Sequence, residues 1–277
     1  MSKETTLITG ASSGIGLHLA KEFAKHGHPL VLVAPVEAEL QAIAADIKGA
    51  HGVEVRVIAA DLREAGAETA IREGVGDNAA EILVNNAGHG KKGKAWEIAL
   101  EEDLSMVRLN VEAVLRLTKM FLPRMVERGR GRILNTASVA GFEPGPGYAV
   151  YAATKAFVLS YSESLATELE GTGVTVTALC PGPTDTDFFP KADMMGTRAF
   201  QQAQLMAPQE VAEAAYKALM AADRVIVPGL ANKAMVFARR FLPESVQAKL
   251  NEMLTDDASP EKQKRDRGDM EAKAAEH

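Results

Sequence analysis

Tyr151 and Lys155 stand four residues apart, and Ser138 precedes the tyrosine by thirteen. A phenol with a pKa near about 10 is a poor acid or base at neutral pH, so a proton-transferring tyrosine needs a neighbouring cation that favours its phenolate. Lys155 is that cation, one helical turn away on the same face, and an oxidised nicotinamide would add a second. Ser138 would hydrogen-bond the oxygen that receives the proton. Tyr-x-x-x-Lys alone is common on exposed helices, so its weight comes from Ser138 and from Thr9-Gly10-Ala11-Ser12-Ser13-Gly14-Ile15-Gly16 upstream. Tyr148 and Tyr161 lack a lysine four residues later. Serine, tyrosine and lysine beside a glycine-rich turn are what hydride exchange between a nicotinamide and an alcohol or ketone requires.

Something must position them. β-rich runs recur at Leu7 to Thr9, Leu30 to Ala34, Val53 to Ala59, Ile82 to Asn85, Arg132 to Asn135, Val174 to Leu179 and Arg224 to Val227, with helix-patterned stretches between. Between Val111 and Val126 the residues Val114, Leu115, Leu117, Thr118, Phe121, Leu122 and Met125 mark one helical face, and Leu159, Ser162, Leu165, Ala166 and Leu169 mark another. Parallel strands need crossover connections, and right-handed ones put helices on both faces. The expected fold is α/β, a doubly wound, Rossmann-like parallel sheet of about seven strands with ligands at its carboxyl edge. Gly10, Gly14 and Gly16 follow the first strand and open a helix, so the backbone can turn tightly and approach a pyrophosphate at the helix N-terminus. The spacing is G-x-x-x-G-x-G, and the strand before and helix after make it specific.

In these features the chain resembles the short-chain dehydrogenase/reductase superfamily in its compact form, over about residues 4 to 230. Asp61-Leu62 ends the third strand, Asn85-Asn86-Ala87-Gly88 the fourth, Asn110 lies in the next long helix, and Pro181-Gly182 follows the sixth strand. The resemblance implies that Gly10, Ser12, Ser13, Gly14, Ile15 and Gly16 bind the cofactor, that Asp61 and Leu62 flank its adenine, and that Asn86, Ala87 and Gly88 line its channel. Pro181, Gly182, Thr184 and Thr186 would hold the nicotinamide end, with Lys155 on the ribose. The implied catalytic set is Asn110, Ser138, Tyr151 and Lys155, with Asn110 bending its helix and holding a water; no metal is expected. Local readings compete: Asp61 as a helix cap, and Asn-Asn-Ala-Gly as a tight turn.

The end of the second strand decides between the two nicotinamide cofactors, because an acid there accepts from a ribose 2′-hydroxyl whereas arginine neutralises a 2′-phosphate. Here it reads Ala34-Pro35-Val36, with neither acid nor arginine, and Glu37 and Glu39 belong to the next helix, facing solvent. The cofactor is therefore NAD(P)(H), leaning to NADP(H).

With 277 residues, 47% of them hydrophobic, the chain can bury one sizeable core. A formal charge of −6 with scattered cations argues against a nucleic-acid partner. Cys180, the lone cysteine, lies in an apolar run and reads as a buried small side chain. No segment reaches the roughly 18 apolar residues of a membrane span, and no signal-like stretch opens the chain, which fits a cytoplasmic protein. One catalytic domain is expected over residues 1–254, with an amphipathic helical region at 231–254 that packs on the chain's own body, on a partner subunit or on a membrane surface. The charged segment 255–277 reads as disordered. Phe188, Phe189, Met194, Met195, Phe200 and Leu205 either cover the cleft, favouring an apolar substrate, or pack among themselves or against a subunit. His89, just after the Asn-Asn-Ala-Gly turn, reads as structural, with a reach to substrate as the alternative. The expected activity is interconversion of a secondary alcohol and a ketone by a homodimer or homotetramer. One alternative is a nucleotide-binding interaction protein without turnover; another, a sugar-nucleotide epimerase or dehydratase, needs a larger C-terminal domain.

Overall fold

A computed structural model describes residues 3–76 and 80–270 of the chain. β1 (Thr6–Thr9), α1 (Gly14–Lys25), β2 (Leu30–Ala34), α2 (Glu37–His51), β3 (Val55–Ala59), α3 (Ala67–Val75) and β4 (Ile82–Asn85) form the first half. α4 (Leu100–Val107), α5 (Ala113–Glu127), β5 (Gly131–Thr136), α6 (Ala149–Glu168), β6 (Val174–Leu179), α7 (Phe188–Lys191), α8 (Arg198–Gln201), α9 (Pro208–Met220) and β7 (Val225–Ile226) follow, and α10 (Leu230–Arg239) and α11 (Glu244–Thr255) close the order of helices.

The sheet is wholly parallel, in the order β3-β2-β1-β4-β5-β6-β7. Its central strands β1, β2 and β4 are short, Val-, Leu- and Ile-rich runs buried on both faces, as a sheet covered by helices on each side demands. Alternate side chains serve two separate cores. Ile8, Leu32, Val84 and Leu134 face α1, α2 and α9, whereas Leu7, Val31, Leu83 and Ile133 face the layer of α3, α5 and α6. A slip of one residue would exchange every one of them, so the register is fixed by burial. Strand order reverses between β1 and β4, which opens a crevice at their carboxyl ends.

The structure departs from the sequence reading in detail. The third strand begins at Val55, with Glu54 contributing only its carbonyl to Leu30, and the seventh is two residues long. The helix read over 111–126 is the distal part of a longer rod in which α4 and α5 are joined by a π-helical turn, Arg108–Glu112. The segment read as disordered is placed as far as Met270. Its polar groups are used: Gly268 and Met270 donate their N–H groups to the fully buried Asp185 carboxylate at 2.8 to 3.0 Å, and Arg265 donates to the Ala203 carbonyl. Residues 271–277 lie outside the described residues. Among the described residues no helix is long and apolar enough to cross a membrane.

Candidate active site

One cleft of about 600 Å³ opens at the carboxyl edge of the sheet. At its first end, β1 turns into α1. Gly10 (φ +63°) and Gly14 (φ +54°) hold left-handed backbone conformations, and a Cβ on Gly16 would overlap the Gly10 carbonyl. α1 begins at Ser13 without a side-chain cap or an acid in its first turn, leaving N–H groups and the positive end of the helix dipole toward the cleft. Gly10, Ser12, Ser13, Gly14 and Ile15 line the cleft; Gly16 does not, and acts by letting helix and strand approach.

Asp61 and Leu62 lie across from this turn. Asp61 takes a bidentate contact from Arg63, whose guanidinium holds the carboxyl below its usual range. Asn86 is a brace between strands: its N–H reaches Thr9 Oγ1 at 3.0 Å and its side chain the Thr9 carbonyl at 3.1 Å. Gly88 packs tightly, since a Cβ would stand 3.1 Å from Asn110 Oδ1 and 3.3 Å from Lys155 Nζ and would press on both side chains. At the far side Pro181, Gly182, Thr184 and Thr186 line the cleft after β6, with Thr184 Oγ1 donating to the Gly182 carbonyl at 2.9 Å.

Ser138, Tyr151 and Lys155 meet in the middle. Ser138 follows β5, and Tyr151 and Lys155 project from α6. Lys155 Nζ donates to the Thr136 carbonyl at 2.8 Å and stands 5.7 Å from the Tyr151 ring centre. Burial lowers the Lys155 pKa to about 8. Burial raises Tyr151 to about 12, with the neighbouring Ser138 hydroxyl pulling the other way. The ammonium is thus close to the ring but turned to a carbonyl of β5, and in this arrangement it does not make the phenol acidic.

Asn110 is buried behind the cleft rather than lining it. It sits in the π-helical turn, accepts from the His89 N–H at 3.1 Å, and donates to the His89 carbonyl at 2.9 Å and to Thr154 Oγ1 at 3.0 Å. A π turn leaves backbone groups unpaired locally and re-aims side chains, and here it fixes Asn110 between the β4 turn and α6. His89 bonds Ser105 through Nε2 at 3.0 Å, and burial lowers its pKa. Cys180 is fully buried and its thiol is pushed up to about 12 by burial.

The apolar loop divides its residues between both roles. Phe189, Met194, Phe200 and Leu205 form a small core, while Phe188, Phe189 and Met194 also line the cleft, with Phe188 5.1 Å from the Tyr151 ring. Several lining residues were not singled out from the sequence. Arg63 is one, and its adjacency to Asp61-Leu62 is the signal that points to it. Tyr148, 6.1 Å from Tyr151 and raised to about 12 by burial, lines the cleft although no lysine follows it four residues later. Glu143, Met235 and Arg239 carry no motif; only the fold brings them to the cleft.

The sequence profile described as short chain dehydrogenase matches residues 4–195. A short-chain dehydrogenase from Sphingobium yanoikuyae, solved in complex with NADPH, is 34% identical and superposes with a TM-score of 0.79, covering 93% of this chain and 99% of that one. A bulky-bulky ketone specific alcohol dehydrogenase from Comamonas testosteroni is 31% identical, with a TM-score of 0.74 and coverage of 94% and 99%. A short-chain dehydrogenase/reductase from Burkholderia phymatum in complex with NAD is 26% identical, with a TM-score of 0.79 and coverage of 93% and 98%.

Proposed function

Because the chain belongs to the short-chain dehydrogenase/reductase family, we propose that it interconverts an apolar secondary alcohol and its ketone using NAD(P)(H), with Tyr151 as general acid/base. The observation that carries this reading is the convergence of Ser138, Tyr151 and Lys155 in one cleft with the glycine turn of β1. The glycine cradle fits a dinucleotide, because positions 10, 14 and 16 have no room for a side chain without collision or backbone strain. When bound, a nicotinamide dinucleotide supplies or accepts the hydride.

The chain's own residues handle everything else. α1 receives the pyrophosphate on its first-turn N–H groups, and Asp61 and Leu62 flank the adenine. Pro181, Gly182, Thr184 and Thr186 position the nicotinamide end. In the reductive direction Ser138 donates to the carbonyl oxygen and Tyr151 passes its phenolic proton to that oxygen. Lys155, drawn from the Thr136 carbonyl toward the ribose, stabilises the phenolate that remains. Asn110 positions Lys155 through Gly88 and α6. Phe188, Phe189 and Met194 exclude water from the reacting centre.

NADP(H) is the preferred cofactor in this reading. Ala34 and Pro35 line the cleft at the end of β2 with no acid to repel a 2′-phosphate, Glu37 and Glu39 are exposed on α2, and Arg63 lines the same end. Calorimetric titration with NADPH and NADH should show the tighter constant for NADPH; equal constants or tighter NADH remove this preference. Purified protein should also oxidise NADPH in the presence of bulky ketones. A ketone and alcohol panel without turnover, alongside tight cofactor binding, would favour the inactive interaction protein instead. Self-association as a homodimer or homotetramer through α5 and α6, whose outer faces expose Val126 and Phe157, completes the reading, and a monomer in sedimentation equilibrium would exclude it.

A further inference from the structure

We infer that Glu143 and Arg239 form a specificity site for a hydroxyl group carried on the substrate away from its reacting carbon. The inference rests on the reductase reading above and names the class of substrate within it: an apolar hydroxy-ketone or the corresponding diol.

The two residues come from distant parts of the chain. Glu143 follows the turn Val139–Phe142 just after Ser138, and Arg239 ends α10. They form an ion pair whose side chains are 3% and 10% exposed, and both line the cleft that holds Tyr151. Asn251, Leu254 and Thr255 of α11 line the same cleft. α11 roofs it, with Asn251 donating to the Pro144 carbonyl at 2.8 Å and Thr255 to the Pro146 carbonyl at 3.0 Å. The neighbouring lining is apolar, including Met235, Leu254 and Phe188.

The pair is incompletely satisfied. Glu143 Oε2 is buried without a hydrogen-bond partner among the described residues. Arg239 carries five N–H donors, and its side chain pairs only with Glu143 among the described residues. A buried carboxylate oxygen without a donor is costly in the protein alone, and a ligand that supplies the donor relieves that cost. The charges already cancel within the pair. A substrate carboxylate would therefore meet Glu143, and an ammonium would meet Arg239, each at a cost. A hydroxyl is neutral, accepts from the guanidinium with its oxygen and donates to Glu143 Oε2 with its proton, so one group uses both vacant capacities.

The test is a matched set of ketones: decalone and its far-ring hydroxy, methoxy, carboxy and amino derivatives, each reduced with NADPH. Hydroxydecalone should exceed decalone in kcat/KM by about tenfold to a hundredfold, the range of a hydrogen bond to a charged group. Methoxydecalone, which accepts but cannot donate, should lose most of that advantage. In a Glu143→Leu/Arg239→Met double variant, which keeps the pair's volume and leaves no charge buried alone, the hydroxy-to-parent ratio should fall to about one. Glu143→Gln should reduce the ratio partway. Equal kcat/KM for hydroxy and parent ketones, preference for the carboxy or amino compound, or a ratio unchanged in the variants overturns the inference while leaving the reductase reading standing. If no member of the set is reduced, both fall.

Discussion

Replacing Lys155 with methionine should make the protein's stability less dependent on pH, by an amount that follows from burial. Lys155 is 4% exposed, and its pKa falls from 10.5 to about 8 on folding. The folded value is depressed for a base, so between pH 8 and pH 10.5 the unfolded chain holds more protons than the native one, and stability rises with pH across that window. Below pH 8 the native protein carries the full penalty of a buried cation. The shift is 10.5 − 8 = 2.5, which at about 1.4 kcal/mol per unit is on the order of 3 kcal/mol. From pH 7 to pH 9.5 the native protein crosses about 1.5 units of the window, so it should gain about 2 kcal/mol relative to Lys155→Met. The lost bond to the Thr136 carbonyl costs the variant the same at both pH values and cancels in this comparison. Urea unfolding of both proteins without nucleotide, followed by circular dichroism because the lone Trp96 is exposed, measures the difference. Parallel stability curves from pH 7 to pH 9.5 would show that Lys155 titrates normally and that the desolvation argument is wrong.

Gly16→Ala should weaken NADPH binding by at least about tenfold and cost about 1–3 kcal/mol in unfolding, because the new methyl meets the Gly10 carbonyl; calorimetry and urea titration check both, and an unaffected variant contradicts the close approach of α1 to β1. Asp185→Asn should cost about 1–3 kcal/mol, since the buried carboxylate accepts from Gly268 and Met270 and pairs with Arg267. That variant should also be cut faster by protease after residue 255, and equal cleavage rates would show that this contact does not hold the segment.

Much of the architecture is readable because the physics is local. A parallel sheet needs short, doubly buried strands, and the Leu30 to Ala34, Ile82 to Asn85 and Val174 to Leu179 runs have the boundaries seen in the structure. The glycine turn and the Tyr151 and Lys155 pair are likewise contiguous patterns. The less legible parts depend on distant partners. The placement of residues 255–270 hangs on Asp185, which looks in sequence like one more polar loop residue. The pairing of Glu143 with Arg239 joins positions nearly a hundred residues apart, without any spacing that announces it. The orientation of Lys155 toward Thr136, and the burial that raises the pKa of Tyr151, depend on how closely α6 lies against β5.

In the proposed mechanism the Tyr151 hydroxyl carries the proton that accompanies hydride transfer. Turnover of a bulky ketone with NADPH by Tyr151→Phe, measured beside NADPH affinity, tests it most directly. The variant should lose at least about a hundredfold in kcat while binding NADPH within about threefold of the native protein, because removal of one oxygen from the ring leaves the glycine turn and Lys155 in place. Retained turnover in a variant that binds the cofactor normally would contradict it.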